Sequence, residues 1–178
     1  MKKKNILIIV ILLIILLGAI VSYQFFNNKT ESKDSLNESI KIGTNIGDMA
    51  PDFTLKKVNG EEVTLSKLRG KKVIINFWTT DCVFCRLEMP ELQRLHAEYP
   101  DIEILAVNIR EDRGKVINYL LTNGFTFPAL LDSSGRVAVE YLVRGTPTSY
   151  FIDENGIIIN KKVGASNYQQ LLAALGIE

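Results

Sequence analysis

Cys82-Val83-Phe84-Cys85 contains the only two cysteines among 178 residues. Thiols at that spacing lie within reach of a disulfide, so the chemistry they could do is thiol-disulfide exchange, in which one sulfur attacks and the other resolves. Two cysteines and one histidine, His96, cannot supply the four ligands of a structural zinc site within one chain, and they are too few for a disulfide-stapled scaffold. No metal and no cofactor beyond a Cys82-Cys85 disulfide is expected. His96, fourteen positions after Cys82, reads as a helix-face residue. Two competing readings, an inert buried pair and half of an intermolecular metal site, leave the placement of the motif unexplained.

That placement is a strand-to-helix junction. Lys72 to Trp78 is a nearly continuous apolar run bounded by Arg69-Gly70 and Thr79-Thr80-Asp81, which suits a strand buried on both faces. From Cys82 to Tyr99 the residues Leu92, Leu95 and Tyr99 recur at helical spacing, with Pro90 in the interior and Tyr99-Pro100-Asp101 as the stop. Cys82 therefore falls at a helix N-terminus. Unpaired amides and partial positive charge there favour a thiolate, so Cys82 is the expected nucleophile and Cys85 the resolving thiol.

The surrounding chain alternates strands and helices. Pro51–Leu55 and Val63–Leu65 flank Asn59-Gly60 and predict an edge hairpin. Ile102–Asn108 reads as a strand, Lys115–Asn123 as a helix stopped by Gly124, Phe127–Asp132 as extended chain and Arg136–Tyr141 as a short helix. Thr148–Asp153 and Ile157–Val163 form a second hairpin across Glu154-Asn155-Gly156, and Asn167–Leu175 a last helix. The expected fold is α/β, a mixed central sheet with helices on both faces and an N-terminal hairpin.

The front of the chain sets the compartment. Lys2, Lys3 and Lys4 precede Ile6–Val21, a run without one polar side chain, and Ser22 to Phe26 ends it with aromatic residues suited to a membrane interface. As a helix at about 1.5 Å per residue, Ile6–Phe26 spans roughly 31 Å, close to a bilayer core. No small-x-small cleavage site ends the run, so an uncleaved anchor is favoured over a signal peptide. The lysines then stay in the cytoplasm and the rest faces out. The expected organisation is 1–26 cytoplasmic lysines and transmembrane anchor, 27–46 flexible tether, and 47–178 extracytoplasmic domain, with Ser39–Ile42 as the one stretch of tether able to pack as a strand. Without the three leading lysines, 18 basic residues face 20 acidic ones, a charge of −2, and no nucleic-acid footprint survives.

From about Ile46 to Glu178 the sequence resembles the thioredoxin-like, membrane-anchored thiol-disulfide oxidoreductases of the TlpA/ResA type. The resemblance rests on Gly47-Asp48-Met49-Ala50-Pro51-Asp52-Phe53, Val73–Trp78, Cys82-Val83-Phe84-Cys85-Arg86-Leu87-Glu88-Met89-Pro90, and Gly145-Thr146-Pro147-Thr148-Ser149-Tyr150-Phe151-Ile152-Asp153. It implies a thioredoxin-like fold and several roles. Asn76 stands where thioredoxins proper carry a buried aspartate, while Glu88 matches the glutamate of the ResA-like branch. With no basic partner at i±3 or i±4 on its helix, Glu88 is a candidate proton shuttle. Pro147 matches the cis-proline facing the cysteines, so the backbone of Thr146 would dock the partner. Trp78 would wall the site, together with Phe84. Two departures bear on the potential. Asp81 and Phe84 replace the aromatic residue and the proline often found just before the two cysteines, and Asp81 should disfavour the Cys82 thiolate.

What the resemblance implies is a bacterial, single-pass reductase of disulfides in exported proteins, apocytochrome c first among them, recharged by a membrane thiol carrier of the CcdA type. A disulfide-forming oxidase is the alternative. A peroxide reductase would need Pro-x-x-x-Thr-x-x-Cys, and Thr79 fits that pattern, but Ile75 replaces its proline. A redox-inactive docking module would not need the two cysteines.

Overall fold

The computed structural model describes residues 15–24 and 41–177. The chain divides into two units, Met1–Ile40 and Lys41–Glu178. In the first, residues 15–24 form helix α1, all of it exposed, and the Ser22 hydroxyl donates to the Gly18 carbonyl one turn back. Among the described residues no helix is long and apolar enough to cross a membrane. The lysine cluster, the first part of the apolar run and residues 27–40 of the expected tether lie outside the described residues.

In the second unit the chain order is β1 (Thr54–Lys57), β2 (Glu62–Thr64), a 3-10 turn (Leu65–Leu68), β3 (Val73–Trp78), α2 (Val83–Glu98), β4 (Glu103–Ile109), α3 (Arg113–Asn123), β5 (Ala129–Asp132), α4 (Arg136–Glu140), β6 (Thr148–Ile152), β7 (Ile158–Val163) and α5 (Tyr168–Ala174). These strands make one sheet in the order β2-β1-β5-β4-β3-β6-β7. β3, β4 and β5 run parallel, and the remaining pairings are antiparallel. This is the mixed α/β sheet the sequence predicts, with the N-terminal hairpin at one edge.

β3 lies inside the sheet between β4 and β6, where its one polar side chain, Asn76, is hydrogen-bonded within the protein. All six residues are buried, and its alternation splits them between two cores. Ile74 and Trp78 face one core with Cys85, Met89, Leu92 and Leu95 of α2. Ile75 and Phe77 face the other with Phe53, Tyr141 and Tyr150. Each apolar side chain so buried contributes about 1.5–3 kcal/mol. In the second core the Tyr141 hydroxyl donates to the Pro51 carbonyl (2.6 Å) and the Tyr150 hydroxyl to the Tyr141 carbonyl, so neither phenol is orphaned.

Local chemistry ends the elements. Asp112 caps α3 by accepting from the Gly114 N–H at 2.7 Å, and Gly124 closes it at a left-handed φ of 71°. Asn167 and Gln170 form a reciprocal capping box on α5.

Three details differ from the sequence reading. The first hairpin sits later, with β1 at Thr54–Lys57, because Lys56 and Lys57 pair with Leu131 and Leu130 of β5 and so hold this segment extended. Leu65 opens a 3-10 turn instead of closing β2, since it is fully buried and its N–H donates to the Phe53 carbonyl. The second unit also takes in residues 41–46, which the sequence assigns to the tether. Met49 N–H donates to the Lys41 carbonyl at 2.8 Å and Gly43 N–H to the Met49 carbonyl at 3.0 Å, which makes Ile42 a bridge partner of Met49.

Candidate active site

Strand β3 ends at Trp78, and four residues later Cys82 caps α2. Its backbone is extended (φ −77°, ψ 112°) and its Sγ accepts the Cys85 N–H at 3.0 Å. That amide is one of the donors a helix N-terminus leaves without a partner. The same contact that satisfies it would stabilise negative charge on Cys82. Cys82 and Cys85 are joined in a disulfide, with Cα atoms 5.2 Å apart. The two sulfurs are not equivalent. Cys85 is buried against Trp78 and Met89, whereas Cys82 is half-buried and open to a partner.

Facing Cys82 is the loop before β6. The Thr146–Pro147 peptide is cis, and the Thr146 carbonyl oxygen lies 3.4 Å from Cys82 Sγ. In the dithiol form the Cys82 thiol could donate to that oxygen. The loop is tied down by Gly164 N–H donating to the Pro147 carbonyl (2.8 Å) and by the Thr148 hydroxyl donating to the Gly145 carbonyl (2.7 Å).

Glu88 follows Cys85 by three residues, nearly one turn of α2, and is 1% exposed. Its Oε2 accepts from Asn76 Nδ2 at 2.7 Å and its Oε1 from the Ser166 N–H at 3.0 Å. Asn76 also donates to the Ser149 hydroxyl at 2.9 Å. These partners follow from register: Asn76 on β3 pairs with Ser149 on β6, which pairs with Lys162 on β7, in one row across the sheet. Burial pushes the Glu88 carboxyl above its ordinary value, against the hydrogen bonds of Ser166 and Asn76 and the charge of Lys162, which pull it down. The strand position that lacks a carboxylate is thus hydrogen-bonded to a carboxylate delivered by the helix.

Trp78 is fully buried; its ring lies 5.4 Å from that of Tyr119, in the same core as Cys85. It supports the site from below. Phe84 is 61% exposed, and Val83 and Leu87 beside it on the first turns of α2 are exposed too, so an apolar surface flanks Cys82. His96 is on α2, more than three turns beyond the disulfide. Asp81 does not act on Cys82 alone as the sequence suggests, because Lys115 Nζ reaches its carboxylate at 2.7 Å. Ser166, Lys162, Glu111 and Lys115 carry no motif signal, and strand register or chain folding brings them to the site; Ser149 lies within the Gly145–Asp153 motif, but only its register with Asn76 shows its part.

The AhpC/TSA family model matches residues 46–161. Among curated proteins the chain is 34% identical over 166 residues to the thiol-disulfide oxidoreductase ResA of Bacillus subtilis, covering 92% of this chain and 88% of that protein. It is 37% identical over 142 residues to the thioredoxin-like protein YneN of the same organism, covering 78% and 83%. Among solved structures it is similar to StoA from Bacillus subtilis, with a TM-score of 0.62 and 30% identity over 70% of this chain and 96% of that one.

Proposed function

The chain belongs to the ResA-type thiol-disulfide oxidoreductases within the AhpC/TSA family, and we propose that it works as a membrane-tethered reductase of disulfides in exported proteins. The observation that carries the reading is the asymmetry of the pair: Cys82 is accessible, receives the Cys85 N–H and faces the Thr146 carbonyl, whereas Cys85 is buried, as is Glu88 three residues further along α2.

In the reductive half-reaction the Cys82 thiolate attacks one sulfur of a client disulfide. The client's S–S bond breaks, a Cys82–client bond forms, and the expelled client thiolate takes up a proton. Glu88 then accepts the proton of Cys85, whose sulfur attacks Cys82 Sγ and expels the second client thiolate. Two electrons have passed to the client, and Cys82–Cys85 is oxidised. Thr146 and Pro147 offer backbone to an extended client segment, and Phe84 offers it an apolar flank. Trp78 holds Cys85 from beneath.

A dithiol used in this direction must be recharged, and a membrane carrier of the CcdA type would supply the electrons. Apocytochrome c, which needs free thiols for haem attachment, is the first client to test. Lys2 to Lys4 before an apolar run that ends in aromatic residues supports a single-pass bacterial membrane anchor, with residues 1–26 as lysines and anchor, a tether after it and the catalytic domain outside. Protease added to intact cells stripped of their wall should then remove the domain, and full protection would refute the topology.

Direction of electron flow is tested by the reduction potential of the pair, titrated against dithiothreitol buffers at pH 7. A value near or below that of thioredoxin, about −270 mV, is expected, and one near that of DsbA, about −120 mV, would make the protein a disulfide-forming oxidase. Peroxide reduction is disfavoured by Ile75, which is fully buried in mid-strand where that chemistry would want a loop proline.

A further inference from the structure

The segment that presents Cys82 is held by charged side chains, one from its own helix and the others from beyond it. Glu111, two residues past β4, is nearly buried and accepts four hydrogen bonds. They come from the Thr80 N–H and the Thr80 hydroxyl, both at 2.7 Å, from Asn108 Nδ2 at 2.6 Å and from Lys115 Nζ at 2.7 Å. Arg86 of α2 completes the hold on Thr80, donating Nε and Nη2 to its carbonyl at 3.2 and 3.1 Å. Every polar group of Thr80, a residue 4% exposed, is therefore bonded to a charged side chain.

Lys115 is the unusual member. It lies in the first turn of α3, where the helix dipole opposes a cation, and α3 has no acidic residue in that turn. What holds it there is a pair of carboxylates, Glu111 and Asp81, each 2.7 Å from Nζ. Asp81 is the residue before Cys82, and its negative charge would otherwise raise the energy of a thiolate on that sulfur.

We propose that Glu111 is a positioning residue that fixes the Thr80–Cys82 segment, and that it holds Lys115 where the ammonium cancels the charge of Asp81 beside the attacking sulfur. The inference rests on Cys82 being the nucleophile. Burial raises the Glu111 carboxyl, but the hydrogen bonds from Asn108, Lys115 and Thr80 outweigh it and bring the value down to about 2, so the acceptor stays ionised at any working pH. Other charges around the pair stay in place in the variants below. They are Arg86 and Glu88 on α2 and Lys162 on β7, with Arg144 in the stretch leading to Thr146.

The test uses the full chain, reduced in detergent micelles and alkylated with iodoacetamide across pH, with the labelled cysteine identified by mass spectrometry. Lys115→Met is expected to move the Cys82 profile up by about half a pH unit, which makes alkylation roughly threefold slower at pH 7. Asp81→Asn combined with Lys115→Met should return the profile to its original position. Lys115 is nearly half exposed, so its loss does not endanger the fold. Glu111→Gln should speed hydrogen exchange at the Thr80 amide at least tenfold while leaving Leu105 of β4 unchanged. A Lys115→Met profile that superimposes on the parent, a double variant that fails to return, or an unchanged Thr80 amide would each overturn the proposal. Labelling of Cys85 ahead of Cys82 would instead overturn the assignment of the nucleophile.

Discussion

Cys85→Ser is expected to cut multiple turnover on a disulfide client by at least about a thousandfold and to trap that client on Cys82. The reason is the division of labour between the sulfurs. Cys82 is accessible, with the Cys85 N–H directed at it from 3.0 Å, so the first attack does not require Cys85 Sγ. The backbone amide that stabilises the thiolate survives the substitution. Resolution does require a second sulfur, and the described residues contain no free cysteine to replace it. Cys82→Ser should lose turnover to the same degree but trap nothing. Non-reducing electrophoresis followed by mass spectrometry reads both results. A Cys85→Ser protein that turns over normally, or a trapped species that survives in Cys82→Ser, would refute the assignment. A redox-inactive docking module would bind its client equally well with both serines.

The second large effect is expected at Glu88, where stability and rate separate. Glu88→Ala would leave one of the two Asn76 Nδ2 N–H groups, the other being held by Ser149, and the Ser166 N–H without an acceptor in a buried region. Two orphaned donors cost about 2–4 kcal/mol, a loss of roughly 6–12 °C in melting temperature for a domain of this size. Glu88→Gln keeps the shape and one acceptor but cannot take a proton. It should slow resolution of the mixed disulfide about a hundredfold while leaving its formation by Cys82 nearly unchanged. If the two steps slow equally, Glu88 is not the base for Cys85.

The pH dependence has a definite sign. Burial raises the folded-state value for Glu88 above its unfolded one, so the folded protein binds more protons than the unfolded chain in the window between them. The stability this group contributes is fully present below the ordinary carboxylate range and is lost as pH rises through the raised value. The melting temperature of the parent minus that of Glu88→Gln should therefore fall as the pH rises from the ordinary carboxylate range through the raised value. Subtracting the variant removes the opposite trend of Glu111, whose lowered value contributes stability that disappears only in acid. A difference that rises with pH would mean that the hydrogen bonds of Asn76 and Ser166 and the charge of Lys162 outweigh the burial of Glu88.

Much of this protein was legible in one dimension because its signals are local. The nearly continuous apolar run of β3, broken only by Asn76 and bounded by turn residues, suits a strand buried on both faces, and a cysteine pair directly after it then falls where the strand hands over to a helix. Helix α2, with Leu92 and Leu95 one turn apart, and the stop at Gly124 followed from spacing and backbone preference. The roles of Cys82 and Cys85 came from the same junction, since a helix N-terminus carries unpaired amides whatever the fold around it.

What only the tertiary structure decided are the partners that come from other elements. Periodicity leaves Glu88 ambiguous between a solvated carboxylate and a buried one, and the choice depends on the row Asn76–Ser149–Lys162, which exists only once β3, β6 and β7 are in register. Asp81 reads in sequence as an uncompensated charge beside the nucleophile, because Lys115 is 34 positions away and meets it only when β4 lies beside β3. The physical reason is the same in both cases. Hydrogen bonds and charges act over a few ångströms in space, and sequence separation says little about which groups a sheet brings within that range.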